Sequence, residues 1–105
     1  MIQISPEKLK TLIDENPSVT MIDVREQWEF DTCHINGSHH IGMESISEKL
    51  PEFDREDSIV IICHHGMRSF QVAQYLELEG FEKVMNLEGG IDAWAKKVDN
   101  NMTQY

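Results

Sequence analysis

The run Ser58-Ile59-Val60-Ile61-Ile62 constrains this chain more than any other segment. Its four consecutive β-branched residues are too few for a buried helix, and no polar residue alternates with them, so the strand they form must be covered on both faces. Such a strand belongs inside a largely parallel sheet with helices packed on either side. In open sheets of this kind, ligands gather outside the carboxyl ends of the strands. The residue arriving at that end is Cys63.

The flanking segments agree with that architecture. Ser5-Pro6-Glu7 has the signature of a helix start, with Ser5 as N-cap and Pro6 at the first helical position, and the stripe Leu9, Leu12 and Ile13 ends at Asn16-Pro17. Val19 to Val24 reads as a strand delivering Arg25 and Glu26 to its end, followed by loops with one helical turn around Trp28 to Phe30. Met43 to Leu50 is expected to form a short helix closed by Pro51. Ser69 to Glu79 carries a helical apolar pattern with Gly80 placed to end it; Phe81 to Leu87 is a further strand, Gly89-Gly90 a turn, and Ile91 to Lys97 a last helix. The expected class is a single α/β domain over residues 1–97, with a mostly parallel central sheet and helices on both faces. Residues 98–105 read as a polar, frayed tail.

A chain of 105 residues, 40% of them hydrophobic, supports one core. Nineteen acidic against nine basic residues give a formal charge of −10, the wrong sign for nucleic acid or an anionic membrane. No apolar run approaches a membrane span, and Met1-Ile2-Gln3-Ile4 lacks the features of a secretory signal, so a cytoplasmic monomer is expected. Cys33 and Cys63 are too few for a disulfide framework and read as reduced thiols.

Cys63 opens the loop Cys63-His64-His65-Gly66-Met67-Arg68 between a strand and a helix. Gly66 can take a positive φ and turn successive N–H groups inward, and the helix that follows favours an anion at its start. Thiolate is the reactive form of cysteine, and a helix N-terminus with nearby cations stabilises it. Arg68, with His64 and His65, is placed to supply that field. The competing reading is an inert thiol that finishes a buried strand.

Several ordered motifs resemble one family. Cys63-His64-His65-Gly66-Met67-Arg68-Ser69 is similar to the C-x-x-G-x-R-S loop of single-domain, rhodanese-like thiosulfate sulfurtransferases. Ile22-Asp23-Val24-Arg25-Glu26 is similar to that family's first strand and D-x-R-E turn, and Glu29-Phe30 with His34-Ile35 and Gly37 to its E-F-x-x-G-H-I-x-G-A segment. Leu76 to Trp94, through Gly80-Phe81, Val84, Leu87 and Gly89-Gly90, matches the closing pattern of helix, strand, double glycine and tryptophan. Cys33, Asn36 and Ser38 stand where glycine, proline and alanine are usual. The resemblance implies that Cys63 accepts a sulfane sulfur, becomes a persulfide and passes the sulfur on. Implied partners are a donor such as thiosulfate or a protein persulfide and a thiol or cyanide acceptor, with no metal or organic cofactor.

Rival readings differ at definite residues. Cysteine phosphatases and arsenate reductases place five residues between cysteine and arginine, whereas Cys63 and Arg68 enclose four, a loop better suited to one sulfur than to a tetrahedral oxyanion. A binding or regulatory module of the same fold would usually lack the cysteine. Arg68 is suited either to a donor's oxygens or to bracing the loop. Asp23 and Arg25 read as structural support, with Arg25 held by a carboxylate such as Glu29. Adjacent histidines lack the spacing of a preorganised zinc site, and His39 and His40 read as solvated loop residues. Cys33 reads as a small packed thiol, and Trp28 and Trp94 as packing residues.

Overall fold

A computed structural model describes residues 1–105. The strands are β1 (Ile2–Ile4), β2 (Thr20–Asp23), β3 (His39–His40), β4 (Ser58–Ile62) and β5 (Lys83–Leu87), and the helices α1 (Pro6–Glu15), α2 (Gln27–Thr32), α3 (Ile46–Lys49), α4 (Met67–Leu78) and α5 (Gly90–Lys97). They form one five-stranded sheet in the order β1-β5-β4-β2-β3. Every pairing in it is parallel. None of the helices is long and apolar enough to cross a membrane.

The central strand divides the core by alternation. Ile59, Ile61 and Cys63 face a cluster with Ile46 of α3 and Val72, Ala73 and Leu76 of α4. Val60 and Ile62 face the other cluster, with Leu9 of α1 and Ile91 and Trp94 of α5. All four residues Ile59 to Ile62 are fully buried, each contributing roughly 2 kcal/mol of apolar transfer free energy. A polar residue at any of them would be buried without a partner.

Helix boundaries follow local chemistry. The Ser5 hydroxyl accepts the Lys8 N–H at 3.2 Å and starts α1 behind Pro6. Gly80, at φ +95°, ends α4 in the left-handed conformation that glycine tolerates. Pro51 does not close α3; it lies inside a 3₁₀ turn, Leu50–Glu52, which continues it, because proline fits the first positions of a helical turn.

Two expectations are corrected, and one unforeseen element appears. Residues 2–4 form an edge strand, and the His39-His40 pair is a short strand on β2 rather than free loop. The tail does not fray: the Val98 N–H donates to the Trp94 carbonyl at 2.9 Å, Met102 packs on the α1/α5 cluster, and Tyr105 reaches the loop after β4.

Parallel register brings the functional strand ends together. Asp23 pairs with Ile62, and Ile61 with Asn86. The carboxyl ends of β2, β4 and β5 therefore lie side by side, with Cys63 in the middle.

Candidate active site

Cys63 follows the last residue of β4 and is 1% exposed. Its Sγ accepts the Gly66 N–H at 3.0 Å and lies 3.2 Å from the Ser69 hydroxyl. Gly66 caps α4 at φ +102°, a conformation costly for any residue with a Cβ, and that turn directs its N–H back to the sulfur. Cys63 and His64 offer their carbonyls to the N–H groups of Ile91 and Asp92 at 2.9 and 3.0 Å. Gly90 permits this approach, since a Cβ there would lie 2.4 Å from both carbonyl oxygens. The loop is thus bolted by its backbone to the first turn of α5.

Behind the sulfur lies a polar chain that starts at the buried Ser69 and Asn86 and ends at the exposed Gln3. The Ser69 hydroxyl donates to Oδ1 of Asn86, whose Nδ2 donates to the Gln3 side chain at 3.0 Å and the Gly66 carbonyl at 3.1 Å. With its amide protons so engaged, Asn86 presents Oδ1 as an acceptor. Ser69 has one proton and two acceptors in reach, Asn86 and the sulfur. A thiol can donate to Ser69, which then serves Asn86; a thiolate competes for the same hydroxyl proton.

Two arginine–carboxylate pairs flank the loop, and they are not the expected ones. Arg25 is held by Asp23, through Nε at 2.9 Å and a terminal nitrogen at 2.7 Å, and also donates to the Cys33 carbonyl at 2.6 Å. Glu29 instead takes Arg68 in a bidentate pair at 2.7 and 2.9 Å. The short Arg25–Asp23 spacing closes on itself at the end of β2, leaving Glu29 free for the arginine that starts α4.

Burial works against the charge of Arg25, but the hydrogen bonds and attraction of Asp23, aided by Tyr105, more than offset it and raise its pKa above the ordinary arginine value. The hydrogen bonds from Arg68 hold Glu29 down to about 2 against burial, with the Glu26 N–H and Tyr105 assisting. Glu29 in turn raises the pKa of Arg68.

Tyr105 joins the two pairs. Its hydroxyl accepts from Arg25 at 2.6 Å and donates to Glu29 at 2.9 Å, and its ring stacks on His64 with centroids 4.1 Å apart. Burial pushes its phenol up to about 12. Burial, followed by the neighbouring His65, lowers the pKa of His64. The region thus contains a buried sulfur with N–H and O–H donors, a fixed cation on the rim, and no carboxylate in contact with the sulfur.

The family model for the Rhodanese-like domain matches residues 5–97. This chain belongs to the rhodanese-like domain family. It is 35% identical over 94 residues to the thiosulfate sulfurtransferase GlpE of Actinobacillus pleuropneumoniae, covering 90% of this chain and 86% of that one. It is 36% identical over 97 residues to YrkF of Bacillus subtilis, provisionally named a sulfur carrier protein, covering 92% of this chain but only 52% of that longer one. Among solved structures, SSP1007 of Staphylococcus saprophyticus is 36% identical and superposes with a TM-score of 0.85, covering 99% of this chain and all of the other.

Within the rhodanese-like domain, the expected loop residues divide sharply. Gly66 contacts the sulfur and Arg68 braces the rim, whereas Met67 is 79% exposed and His65 also faces solvent. Asp23 and Arg25 support the base of the site from full burial. Cys33 lies in the α1/α5 cluster while Cys63 lies in the opposite one, so the sheet separates the thiols. Trp28 is 57% exposed rather than packed, and sits edge-on to Tyr105.

Sequence reasoning missed the parts that Asn86 and Tyr105 play, and took Ser69 only as a motif position. An asparagine between the apolar residues Met85 and Leu87 was the available signal for Asn86. The largest cavity, about 490 Å³, lies on the outer side of the loop between Gln3, Gly66, Phe70 and Gly89 and does not include Cys63.

Proposed function

We propose that this rhodanese-like domain transfers a sulfane sulfur through a persulfide on Cys63, from thiosulfate or a persulfide donor to a thiophilic acceptor. The observation that carries the reading is the buried Sγ of Cys63 held by the Gly66 N–H and the Ser69 hydroxyl inside a loop with four residues between cysteine and arginine. With thiosulfate, the Cys63 thiolate attacks the outer sulfur. Its S–S bond breaks as sulfite leaves with the electron pair, and a cysteine persulfide remains. An acceptor such as cyanide then attacks the terminal sulfur, thiocyanate departs, and the thiolate is regenerated.

Preorganised donors favour this step because they face the place where negative charge rests on sulfur before the reaction and after it. Arg68 commits two N–H groups to Glu29, and a guanidinium has five, so three remain for an incoming anion. The cycle uses no cofactor. The names of relatives such as GlpE support the same class of reaction. A phosphate-transfer reading fits less well, because four residues rather than five separate Cys63 from Arg68.

Intact-mass measurement after incubation with thiosulfate tests the proposal. The expected result is a gain of one sulfur, located on Cys63 by peptide mapping, and formation of thiocyanate when cyanide is added. Cys63→Ser should abolish both while leaving the thermal transition in place. Thiocyanate formation by the folded serine variant at the parent rate would remove Cys63 as nucleophile.

A further inference from the structure

Two adjacent histidines make a poor metal site alone, since a preorganised site needs ligands converging from more than one direction. Here the fold adds a third group. Asp92, in the first turn of α5, lies beside His64 and His65 so that one ligand atom from each of the three residues falls within 4.8 Å of the other two. The Asp92 carboxylate is 4.0 Å from Nε2 of His65.

The backbone beneath is fixed by the Asp92 N–H to His64 carbonyl bond at 3.0 Å and by the tight Gly90 crossing. The side chains above it are available. Ring nitrogens of His34 and His40 are occupied by the carbonyls of Phe30 and Arg25 at 2.8 and 2.7 Å, whereas those of His64 and His65 have no such partner.

We propose that His64, His65 and Asp92 bind one divalent first-row transition-metal ion, of the zinc class, at the outer edge of the Cys63 loop. Two imidazoles and a carboxylate form a borderline donor set that suits zinc, cobalt or nickel better than calcium or magnesium. Zinc–ligand distances near 2.0–2.1 Å place neighbouring donor atoms roughly 3.3 Å apart in a tetrahedron, so no pair must close by more than about 1.5 Å. The exposed His65 ring can supply that movement by rotation, and water completes the shell.

The competing Lys96–Asp92 contact at 3.1 Å is an exposed pair one helical turn apart, and such pairs are weak. A chain of formal charge −10 also attracts a dication at long range. The site depends on the junction between loop and α5, and stands whether or not sulfur passes through Cys63.

Cobalt(II) titration of the tag-free chain, kept reduced with a phosphine, tests the proposal. One equivalent should bind and give d–d absorption without a sulfur-to-cobalt charge-transfer band, and zinc should displace it. Cys63→Ser should bind equally well. His65→Ala, at an exposed position, and Asp92→Asn, at a half-buried one, both checked for unaltered melting, should each weaken binding at least about tenfold. The proposal is overturned by absence of saturable binding, by a thiolate charge-transfer band that disappears in Cys63→Ser, or by unchanged affinity in both ligand variants.

Discussion

The two arginine–carboxylate pairs beside Cys63 use the same chemical groups for different ends. Arg25 and Asp23 are two residues apart, and both side chains are completely buried. Arg68 and Glu29 are 39 residues apart; the guanidinium is 36% exposed and the carboxylate 5%. A sealed pair cannot release either partner without leaving a bare charge in the core, so it acts as a rivet. A rim pair keeps one face in water, where an anion can share the guanidinium at small cost. Motif letters alone therefore do not tell a sealed arginine from one that keeps a face in water; depth does.

The largest difference should appear on truncating the sealed arginine. Arg25→Ala is expected to cost about 4 kcal/mol, because it strands Asp23 in the core, a large part of the stability of an ordinary small domain. Urea unfolding at neutral pH measures this, and equal midpoints for Arg25→Ala and Arg68→Ala would erase the distinction drawn here.

Glu29→Gln should cost on the order of 2 kcal/mol at neutral pH, after a discount for the exposed side of its partner. The folded pKa, about 2, lies below the unfolded value near 4.5. The stabilisation is therefore complete above about pH 4.5 and disappears as pH falls toward 2. Parent and variant stabilities should converge over that window, and a constant gap down to pH 2 would mean that Glu29 is not ionised by its pairing.

Arg68→Ala should cost less stability, about 1 kcal/mol, while lowering sulfur-transfer turnover by roughly a hundredfold, the scale of a lost transition-state donor. Arg68→Glu should lower turnover further. If both variants turn over at the same rate, the charge plays no part and only bracing remains.

Tyr105→Phe should have the smallest effect, under about 1 kcal/mol, since the stack on His64 survives and only the bridging hydroxyl is lost. The phenol is held near 12, above its unfolded value of 10. The parent should therefore lose stability as pH rises past 10, and the phenylalanine variant should lose less over the same range. Identical alkaline profiles would show that the hydroxyl does not join the two pairs.

How much was legible in the sequence depended on whether a feature is local. Ser58 to Ile62, the turn at Gly66 and the helix after it announce themselves through neighbouring residues, and the family motifs lie along them. Partner choice did not. The Glu29–Arg68 pair depends on which strand ends the parallel register sets side by side, and nothing near Glu29 records that.

β1 escaped notice because it is a three-residue edge strand with only Ile4 buried. Tyr105 escaped because a polar tail looks the same whether it frays or docks. Asp92 was invisible as a companion to the histidines until the Gly90 crossing brought α5 against the loop.

The polar chain from Cys63 through Ser69 and Asn86 to Gln3 also bears on the order in which the molecule is completed. Ile2 pairs with Met85, so the first strand finds its place only after nearly the whole chain has been made. Strand pairings this distant form late in folding, since the intervening chain must be closed first. Until then Asn86 lacks the Gln3 contact that helps orient its amide, and Ser69 lacks a settled acceptor. It follows that the polar surroundings of Cys63 are completed late, when β1 docks beside β5.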